Sequence, residues 1–165
     1  MALDVESCFH ALGGRVYRWA FGLCGNHADA ADVTQEAFLR LTRSRPALGG
    51  EADARRWLRT VVTRIVIDRW RVRSEAPLPL SERVAAGELR DELEQSERRS
   101  AVVAALHELS ERQRLVLVAK CYERLTFQEI AAELGVSVPT VKTHYLRGLD
   151  ALRRRLAAPA ALRSG

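Results

Sequence analysis

Apolar residues recur at helical spacing along most of the chain. In the first half, one apolar stripe follows a candidate N-cap at Asn26 or Asp29, and a second stripe runs from about Asp53 to Arg73. The loop between the two stripes, SRPALGGEA, carries a proline and paired glycines. No stretch of useful length alternates between apolar and polar residues as a strand does. The pattern therefore predicts an all-α fold.

The second half contains a short helix, a tight turn and a longer helix. Thr126 and Glu129 fit a capping box at the start of the short helix, and Gly135 then breaks the helical pattern. Ser137 is placed to cap the longer helix, and Pro139 falls in its first turn, where a missing amide hydrogen costs little. This order predicts a helix-turn-helix, in which the second helix enters the major groove of DNA.

The longer helix has one apolar face and one polar, basic face. The residues expected to pack inward are Val141, Tyr145, Leu149, Leu152 and Leu156. The residues expected to face DNA are Thr140, Lys142, Thr143, His144 and Arg147. Polar side chains near the start of such a helix reach base edges, whereas Lys142 and Arg147 suit phosphate contacts.

Charge divides the chain into three blocks. Residues 1–73 carry 12 basic and 8 acidic side chains, residues 74–100 carry 4 and 7, and residues 101–165 carry 10 and 6. Pro77 and Pro79 exclude a continuous helix from the acidic block. We therefore predict two small helical domains, 1–73 and 96–158, joined by a flexible linker at 74–95 and followed by a tail at 159–165. The net charge of +5 favours a polyanionic partner.

The helix predicted between Asp53 and Arg73 interleaves arginines with Trp57 and Trp70. This composition suits single-stranded nucleic acid, because bases stack on aromatic rings while phosphates bind guanidinium groups. The simpler alternative places both tryptophans in the core and the arginines in solvent. We expect Trp57 in the core and leave both interpretations open for Trp70.

Three carboxylates of the preceding helix, Asp29, Asp32 and Glu36, lie about one turn apart on a shared face. They would suit a divalent metal ion, as in a metal-dependent nuclease. They also fit a solvated helix start favoured by the helix dipole. A third interpretation is a docking face for a basic partner, and the residues alone leave all three open.

Three cysteines, Cys8, Cys24 and Cys121, occur at irregular spacing. With no signal-peptide pattern and no apolar run of about 20 residues, they predict a cytoplasmic chain with reduced thiols and no membrane insertion. Cys8 with His10, and Cys24 with His27, offer four donors for zinc or for redox sensing. Buried packing cysteines are the simpler interpretation, and we predict neither a cofactor nor a resident metal.

In their order along the chain, these pieces resemble the extracytoplasmic-function sigma factors, which direct bacterial RNA polymerase to promoters. The family's region 2.2 is similar to HADAADVTQEAFLRLTRS, and its regions 2.3 and 2.4 are similar to ARRWLRTVVTRIVIDRWRVR. Its region 4 is similar to LSERQRLVLVAKCYERLTFQEIAAELGVSVPTVKTHYLRGLDALRRRL. The resemblance implies core RNA polymerase and promoter DNA as partners, inhibition by an anti-sigma factor, and no catalytic activity.

The resemblance also implies a role for individual residues. Those expected to bind core RNA polymerase are Asp29, Asp32, Gln35, Glu36, Leu39 and Arg40. Those expected to contact the −10 element are Arg45, Arg56, Arg59, Thr63, Arg64, Trp70 and Arg71. Those expected to contact the −35 element are Ser137, Pro139, Thr140, Lys142, Thr143, His144 and Arg147. The loop from Ser44 to Ala52 would capture a flipped base.

The sequence departs from the family's usual pattern in two helices. Thr63 and Arg64 stand where an Arg-Asn pair is frequent, and the last helix has Pro139, Thr143, His144 and Gly148 in place of the usual Gly, Ser, Arg and Ala. The alternative function is a stand-alone helix-turn-helix regulator of the response-regulator output type. Such a protein would need a receiver domain of alternating strands and helices, and the first 73 residues show no strand pattern.

Overall fold

The computed structural model describes residues 4–44, 46–75 and 90–157. For residues 74–75 and 90–96 it describes the backbone only. The described residues form seven α-helices and no strand: α1 (Val5–Cys24), α2 (His27–Ser44), α3 (Glu51–Glu75), α4 (Arg90–His107), α5 (Glu111–Cys121), α6 (Phe127–Leu134) and α7 (Val138–Ala157). The all-α prediction is confirmed. Two compact units divide the chain, Met1–Val84 and Ala85–Gly165.

The first unit packs α1, α2 and α3 against one another. Its core consists of side chains that are almost fully enclosed, including Leu23, Val33, Leu58, Val62 and Val66. Each such side chain contributes about 1.5–3 kcal/mol through burial, before the loss of chain entropy is counted. The apolar stripes predicted for α2 and α3 are therefore the faces that hold this unit together.

A tight turn joins α1 to α2. Gly25 ends α1 in the left-handed region, with a φ of 76°, and its amide donates to the carbonyl oxygen of Phe21. Asn26 then caps α2, because its Oδ1 accepts a hydrogen bond of 2.8 Å from the amide of Asp29. Asn26, rather than Asp29, is thus the cap. The sequence pattern does not delineate α1 itself, whose middle contains Gly13 and Gly14, two residues of low helix propensity.

The second unit contains α4 to α7 and a buried guanidinium. Arg114 of α5 donates hydrogen bonds of 3.0, 3.0 and 3.4 Å to the carbonyl oxygens of Leu106, His107 and Leu109. These oxygens lie at the C-terminal end of α4 or, for Leu109, just beyond it, where helical carbonyls have no partner within the helix. A positive charge is also favourable at that end of a helix. Arg114 therefore fastens α4 to α5.

The helix-turn-helix is formed by α6 and α7. Thr126 accepts from the amide of Glu129 at 3.2 Å, and the Glu129 carboxylate accepts from the amide of Thr126 at 2.7 Å, so the predicted capping box is complete. Gly135 adopts a φ of 65° in the turn. Ser137 then caps α7 through a 3.3 Å hydrogen bond from the amide of Thr140.

The packing of α7 differs from the prediction at one end. Val141 is fully buried, whereas Leu156 is exposed, so the inward role predicted for Leu156 is wrong. Gly148 is a buried residue of α7 that the apolar stripe does not include. A stripe counts only large apolar side chains, and a glycine is buried here because its missing side chain lets α5 approach.

The predicted linker at 74–95 lies mostly outside the described residues. Within it, α3 extends to Glu75 and α4 begins at Arg90. The predicted domain boundaries, and the tail at 159–165, stay predictions.

Candidate functional site

One groove gathers most of the residues that the sequence assigns to a protein partner. This α2–α3 groove has a volume of about 660 Å³. It is lined by Asp32, Gln35, Glu36, Leu39 and Arg40 from α2 and by Ile65, Asp68, Arg69, Val72 and Arg73 from α3. Five of the six predicted polymerase-binding residues therefore share one surface with residues of α3 that the sequence prediction does not assign to polymerase.

The groove combines exposed apolar side chains with charged ones. Leu39 is 41% exposed and Val72 is 67% exposed. Glu36 accepts a 2.8 Å hydrogen bond from Nε of Arg40, and this bond holds the pKa of Glu36 below its ordinary value. Both side chains of that pair are partly in solvent, so the pair itself contributes little to stability. The groove can therefore make both apolar and charged contacts with a partner.

The sixth predicted residue, Asp29, is engaged within the unit instead. Its Oδ2 accepts hydrogen bonds from Nδ2 of Asn26 at 2.8 Å and from Nη2 of Arg73 at 2.9 Å. Nη1 of Arg69 lies 3.6 Å from its Oδ1. The hydrogen bond from Asn26, and then the one from Arg73 with the charges of Arg73 and Arg69, lower the pKa of Asp29 despite partial burial.

The exposed face of α3 carries the arginines predicted to meet the −10 element. Arg56, Arg64 and Arg71 are exposed, and Arg59 is partly exposed. Arg56 also donates to Asp53 at 2.9 Å, and the other oxygen of Asp53 accepts from the amide of Gly49 at 3.0 Å. Asp53 thereby ties the preceding loop to the start of α3. Arg45, in the same predicted set, lies outside the described residues.

Two residues predicted to contact the −10 element are buried. Thr63 is 3% exposed and Trp70 is 7% exposed, because both lie on the side of α3 that faces α1 and α2. In this conformation neither side chain can meet DNA. Trp57, which is predicted to lie in the core, is partly exposed and lies at the edge of the core.

The outer face of α7 presents most of the residues predicted to meet duplex DNA. Pro139, Thr140, Lys142, Thr143 and Arg147 are exposed. Thr143 donates a 3.0 Å hydrogen bond to the carbonyl oxygen of Pro139, and the ammonium group of Lys142 lies 5.9 Å from the ring centroid of Phe127. Ser137 is exposed and also acts as the helix cap. Backbone contacts thus already hold two of these hydroxyl groups.

His144 lies on the same face but is partly buried. Burial lowers its pKa, and the nearby positive charges of Arg112 and Arg147 lower it further. The imidazole is therefore favoured in its neutral form near neutral pH, which leaves one ring nitrogen as an acceptor and one as a donor. Arg112, at the start of α5, is therefore a cation close to this face. The sequence prediction does not include it.

A further residue that the sequence prediction omits is Leu146. Its side chain is 63% exposed on α7, next to Arg147. A large apolar side chain left in solvent on a recognition helix suits contact with the methyl group of thymine. The signal was present in the sequence as a leucine outside the inward stripe.

Both halves of the chain match known sequence families. Residues 8–75 match Sigma-70 region 2, and residues 99–152 match Sigma-70, region 4. The ECF RNA polymerase sigma factor SigE of Mycolicibacterium smegmatis is 37% identical over 150 residues, covering 87% of this chain and 58% of that protein. The ECF RNA polymerase sigma factor SigL of Mycobacterium tuberculosis is 32% identical over 145 residues, covering 86% of this chain and 82% of that protein. The chain belongs to the extracytoplasmic-function sigma factors.

The fold of this sigma factor is also that of a solved relative. The sigma factor RpoE of Bartonella quintana, in complex with the anti-sigma factor NepR, matches with a TM-score of 0.70 over 90% of this chain and 93% of that chain, at 18% identity. The family predicted from the sequence is confirmed, and so is its function: the protein is a sigma factor that directs transcription initiation. Because regions 2 and 4 both match, the matches favour a sigma factor over the response-regulator and nuclease alternatives.

The cysteine and histidine pairs of this sigma factor do not converge on one metal ion. Cys8 and Cys24 lie on the same helix, 16 positions apart, which corresponds to about 24 Å along α1. Cys8 is buried, and burial raises the pKa of its thiol. Among the described residues, no group of three or more His, Cys, Asp or Glu side chains is placed to hold a metal ion. None of the described helices is long and apolar enough to span a membrane.

Proposed function

We propose that this sigma factor binds core RNA polymerase through the α2–α3 groove. The observation that carries the proposal is the convergence of Asp32, Gln35, Glu36, Leu39 and Arg40 on one surface. Leu39 and Val72 supply apolar contact area, while Asp32 and Asp68 supply exposed negative charge. Such a surface suits a partner helix that carries both apolar and basic side chains, because charge complementarity steers association and apolar burial supplies affinity.

The exposed face of α3 is assigned to the −10 element. At about 100° per residue, Arg56, Trp57, Arg64 and Arg71 lie within about 100° of one another around the helix axis. Trp57, which is partly exposed, takes the stacking role that the sequence gave to Trp70. Arginines beside an accessible ring are suited to a separated DNA strand, since the ring stacks on a base while the guanidinium groups bind phosphates.

The outer face of α7 is assigned to the −35 element. All five residues concerned are exposed, and we expect Thr140, Thr143 and Leu146 to meet base edges and Lys142 and Arg147 to meet phosphates. Arg112 adds a second cation near His144. We assign no catalytic step to this chain and propose that it acts in the cytoplasm with RNA polymerase and promoter DNA.

An anti-sigma factor is the third proposed partner. A second, mainly apolar groove of about 850 Å³ lies between α1 and α2 and includes Phe9, Tyr17 and Phe38. Gln35 and Leu39 line both grooves. An anti-sigma helix seated between α1 and α2 would therefore cover part of the proposed polymerase surface and exclude polymerase by direct overlap. The Bartonella quintana sigma factor named above was solved with an anti-sigma factor bound.

The proposed polymerase surface is tested by binding purified protein to bacterial core RNA polymerase. The variant Asp32→Ala, Glu36→Ala should bind more weakly by about tenfold or more, since both carboxylates lie in the groove. The matched control is Asp150→Ala, which removes an exposed carboxylate from α7. Equal affinity of the double variant and the wild type would show that polymerase binds elsewhere.

A further inference from the structure

Asp29 differs in its surroundings from the other carboxylates of the α2 face. Asp32 is exposed and lines the α2–α3 groove, whereas Asp29 is not part of the groove lining. The Asp29 carboxylate is held by Asn26 at 2.8 Å and by Arg73 at 2.9 Å, with Arg69 at 3.6 Å. Its side chain is 27% exposed. Its acceptor positions are therefore largely occupied within the first unit, and little is left for a partner.

Arg73, the partner of Asp29, lies near the C-terminal end of α3. Trp70 is buried, but Arg71, Val72 and Arg73 beyond it are exposed. An exposed helix end is prone to fray, because its last carbonyls have no partner within the helix and it lacks apolar packing. The hydrogen bond from Arg73 to Asp29 spans 44 residues of sequence and ties this end of α3 to the start of α2.

The start of α2 is itself a firm anchor. Asn26 caps it, accepting from the amide of Asp29 at 2.8 Å while its own Nδ2 donates to the Asp29 carboxylate. Asn26 thus holds both the backbone amide and the carboxylate of Asp29, which orients that carboxylate before it meets Arg73. A charge-assisted hydrogen bond between groups that are already oriented loses less side-chain entropy than one between two mobile side chains.

We propose that Asp29 is a positioning residue for promoter opening rather than a contact to polymerase. By holding Arg73 and Arg69, it fixes the last turns of α3 and with them Arg71, which the proposed function assigns to the −10 element. This inference rests on that proposed function. It also reverses the role that the family resemblance gives to Asp29.

The test compares Asp29→Ala, Arg73→Ala and the double variant with the wild type, with Glu6→Ala as a control that removes an exposed acid from the same unit. Affinity for core RNA polymerase is measured first. A promoter is identified by run-off transcription of genomic DNA with the wild-type holoenzyme. Opening of this promoter is then followed by 2-aminopurine fluorescence. The same promoter with its −10 region left unpaired serves as a pre-opened template.

For Asp29→Ala we expect an unchanged affinity for polymerase, within about twofold, and a loss of promoter opening of about fivefold. The double variant should open the promoter no worse than Asp29→Ala, because Arg73 acts on opening through Asp29. Arg73→Ala is compared at saturating polymerase, because Arg73 also lines the α2–α3 groove. The pre-opened template should restore activity, which it would not do for a misfolded protein.

Loss of polymerase binding in Asp29→Ala, comparable to that in the Asp32→Ala, Glu36→Ala variant, would overturn the inference and return Asp29 to the docking surface. Normal opening of duplex promoter by Asp29→Ala would also overturn it, as would a defect that the pre-opened template fails to correct. Failure of the proposed function would look different: Arg71→Ala would then open the promoter as well as the wild type does, and the Asp32→Ala, Glu36→Ala variant would bind core polymerase as tightly as the wild type.

Discussion

Gly148 of α7 lies so close to Leu117 of α5 that a Cβ at position 148 would be 3.1 Å from Cδ1 of Leu117. The same Cβ would be 3.1 Å from Cβ of Gln113, an atom that cannot move unless α5 moves. The absence of a side chain at Gly148 therefore sets the separation between α5 and the recognition helix.

We predict that Gly148→Val destabilises the second unit by about 1–3 kcal/mol, because a larger side chain forces the two helices apart. Chemical denaturation followed by circular dichroism measures the change. The matched control is Gly14→Ala in α1, where the nearest atom to the added Cβ is the flexible guanidinium of Arg18 at 3.6 Å. That variant should gain about 0.5–1 kcal/mol from higher helix propensity. A Gly148→Val protein as stable as the wild type would show that α5 adjusts freely.

Arg114 gives a second prediction about the same unit. Arg114→Met keeps much of the side-chain volume but removes the hydrogen bonds to the carbonyl oxygens of Leu106, His107 and Leu109. We expect a loss of about 2–4 kcal/mol in the free energy of unfolding, because the carbonyl groups of His107 and Leu109 lose their hydrogen bonds from Arg114 and that of Leu106 keeps only the one from the amide of Leu109. Arg153→Met, at an exposed position of α7, should change stability by less than about 0.5 kcal/mol. Similar values for both variants would contradict the role of Arg114 in joining α4 to α5.

Local signals in the sequence are sufficient to predict the helix-turn-helix, but they do not predict how the helices of the first unit pack. The cap at Thr126, the turn at Gly135 and the cap at Ser137 act within a few residues, so their effect can be predicted from neighbouring positions. In contrast, arginines occur all around α3, and only the packing of α1 and α2 decides which side of it is buried. The bond between Asp29 and Arg73 likewise depends on chain segments 44 residues apart.

The different burial of the two tryptophans gives a third prediction. Trp70→Ala should destabilise the first unit by about 3–5 kcal/mol, because it opens a cavity in the core. Trp57→Ala should cost less stability than Trp70→Ala, because Trp57 is only partly buried. It should also lower promoter opening about tenfold, since stacking of a base on an aromatic ring contributes ~1–3 kcal/mol. Denaturation curves and 2-aminopurine fluorescence separate the two effects. Equal loss of stability in both variants would place Trp57 in the core after all.

The pKa of His144 gives a prediction about pH. Burial, Arg112 and Arg147 lower this pKa below the ordinary value of 6.5, so the unfolded chain binds the proton more tightly than the folded chain does. The stability of the second unit should therefore be complete above pH 6.5 and decrease as the pH falls through 6.5 toward the folded-state pKa. Denaturation at a series of pH values, with His144→Asn as the comparison, measures this contribution. If the variant loses stability on acidification as steeply as the wild type, His144 is not its source.

Arg147 and Leu146 are adjacent on α7, and substitutions at the two positions are expected to change DNA binding in different ways. Arg147→Ala should weaken binding to promoter and unrelated duplex alike and reduce the slope of log affinity against log salt by about 1, because one phosphate contact is lost. Leu146→Ala should leave that slope unchanged but reduce discrimination at one base pair by about 1 kcal/mol or more, because a base-edge contact carries sequence information. Affinities measured for promoter and unrelated duplexes across a salt series distinguish the two variants.

Neither substitution should alter binding to core polymerase, because both residues lie in the second unit and the proposed docking groove lies in the first. A changed salt slope for Leu146→Ala, or loss of polymerase binding in either variant, would contradict this division between phosphate and base contacts.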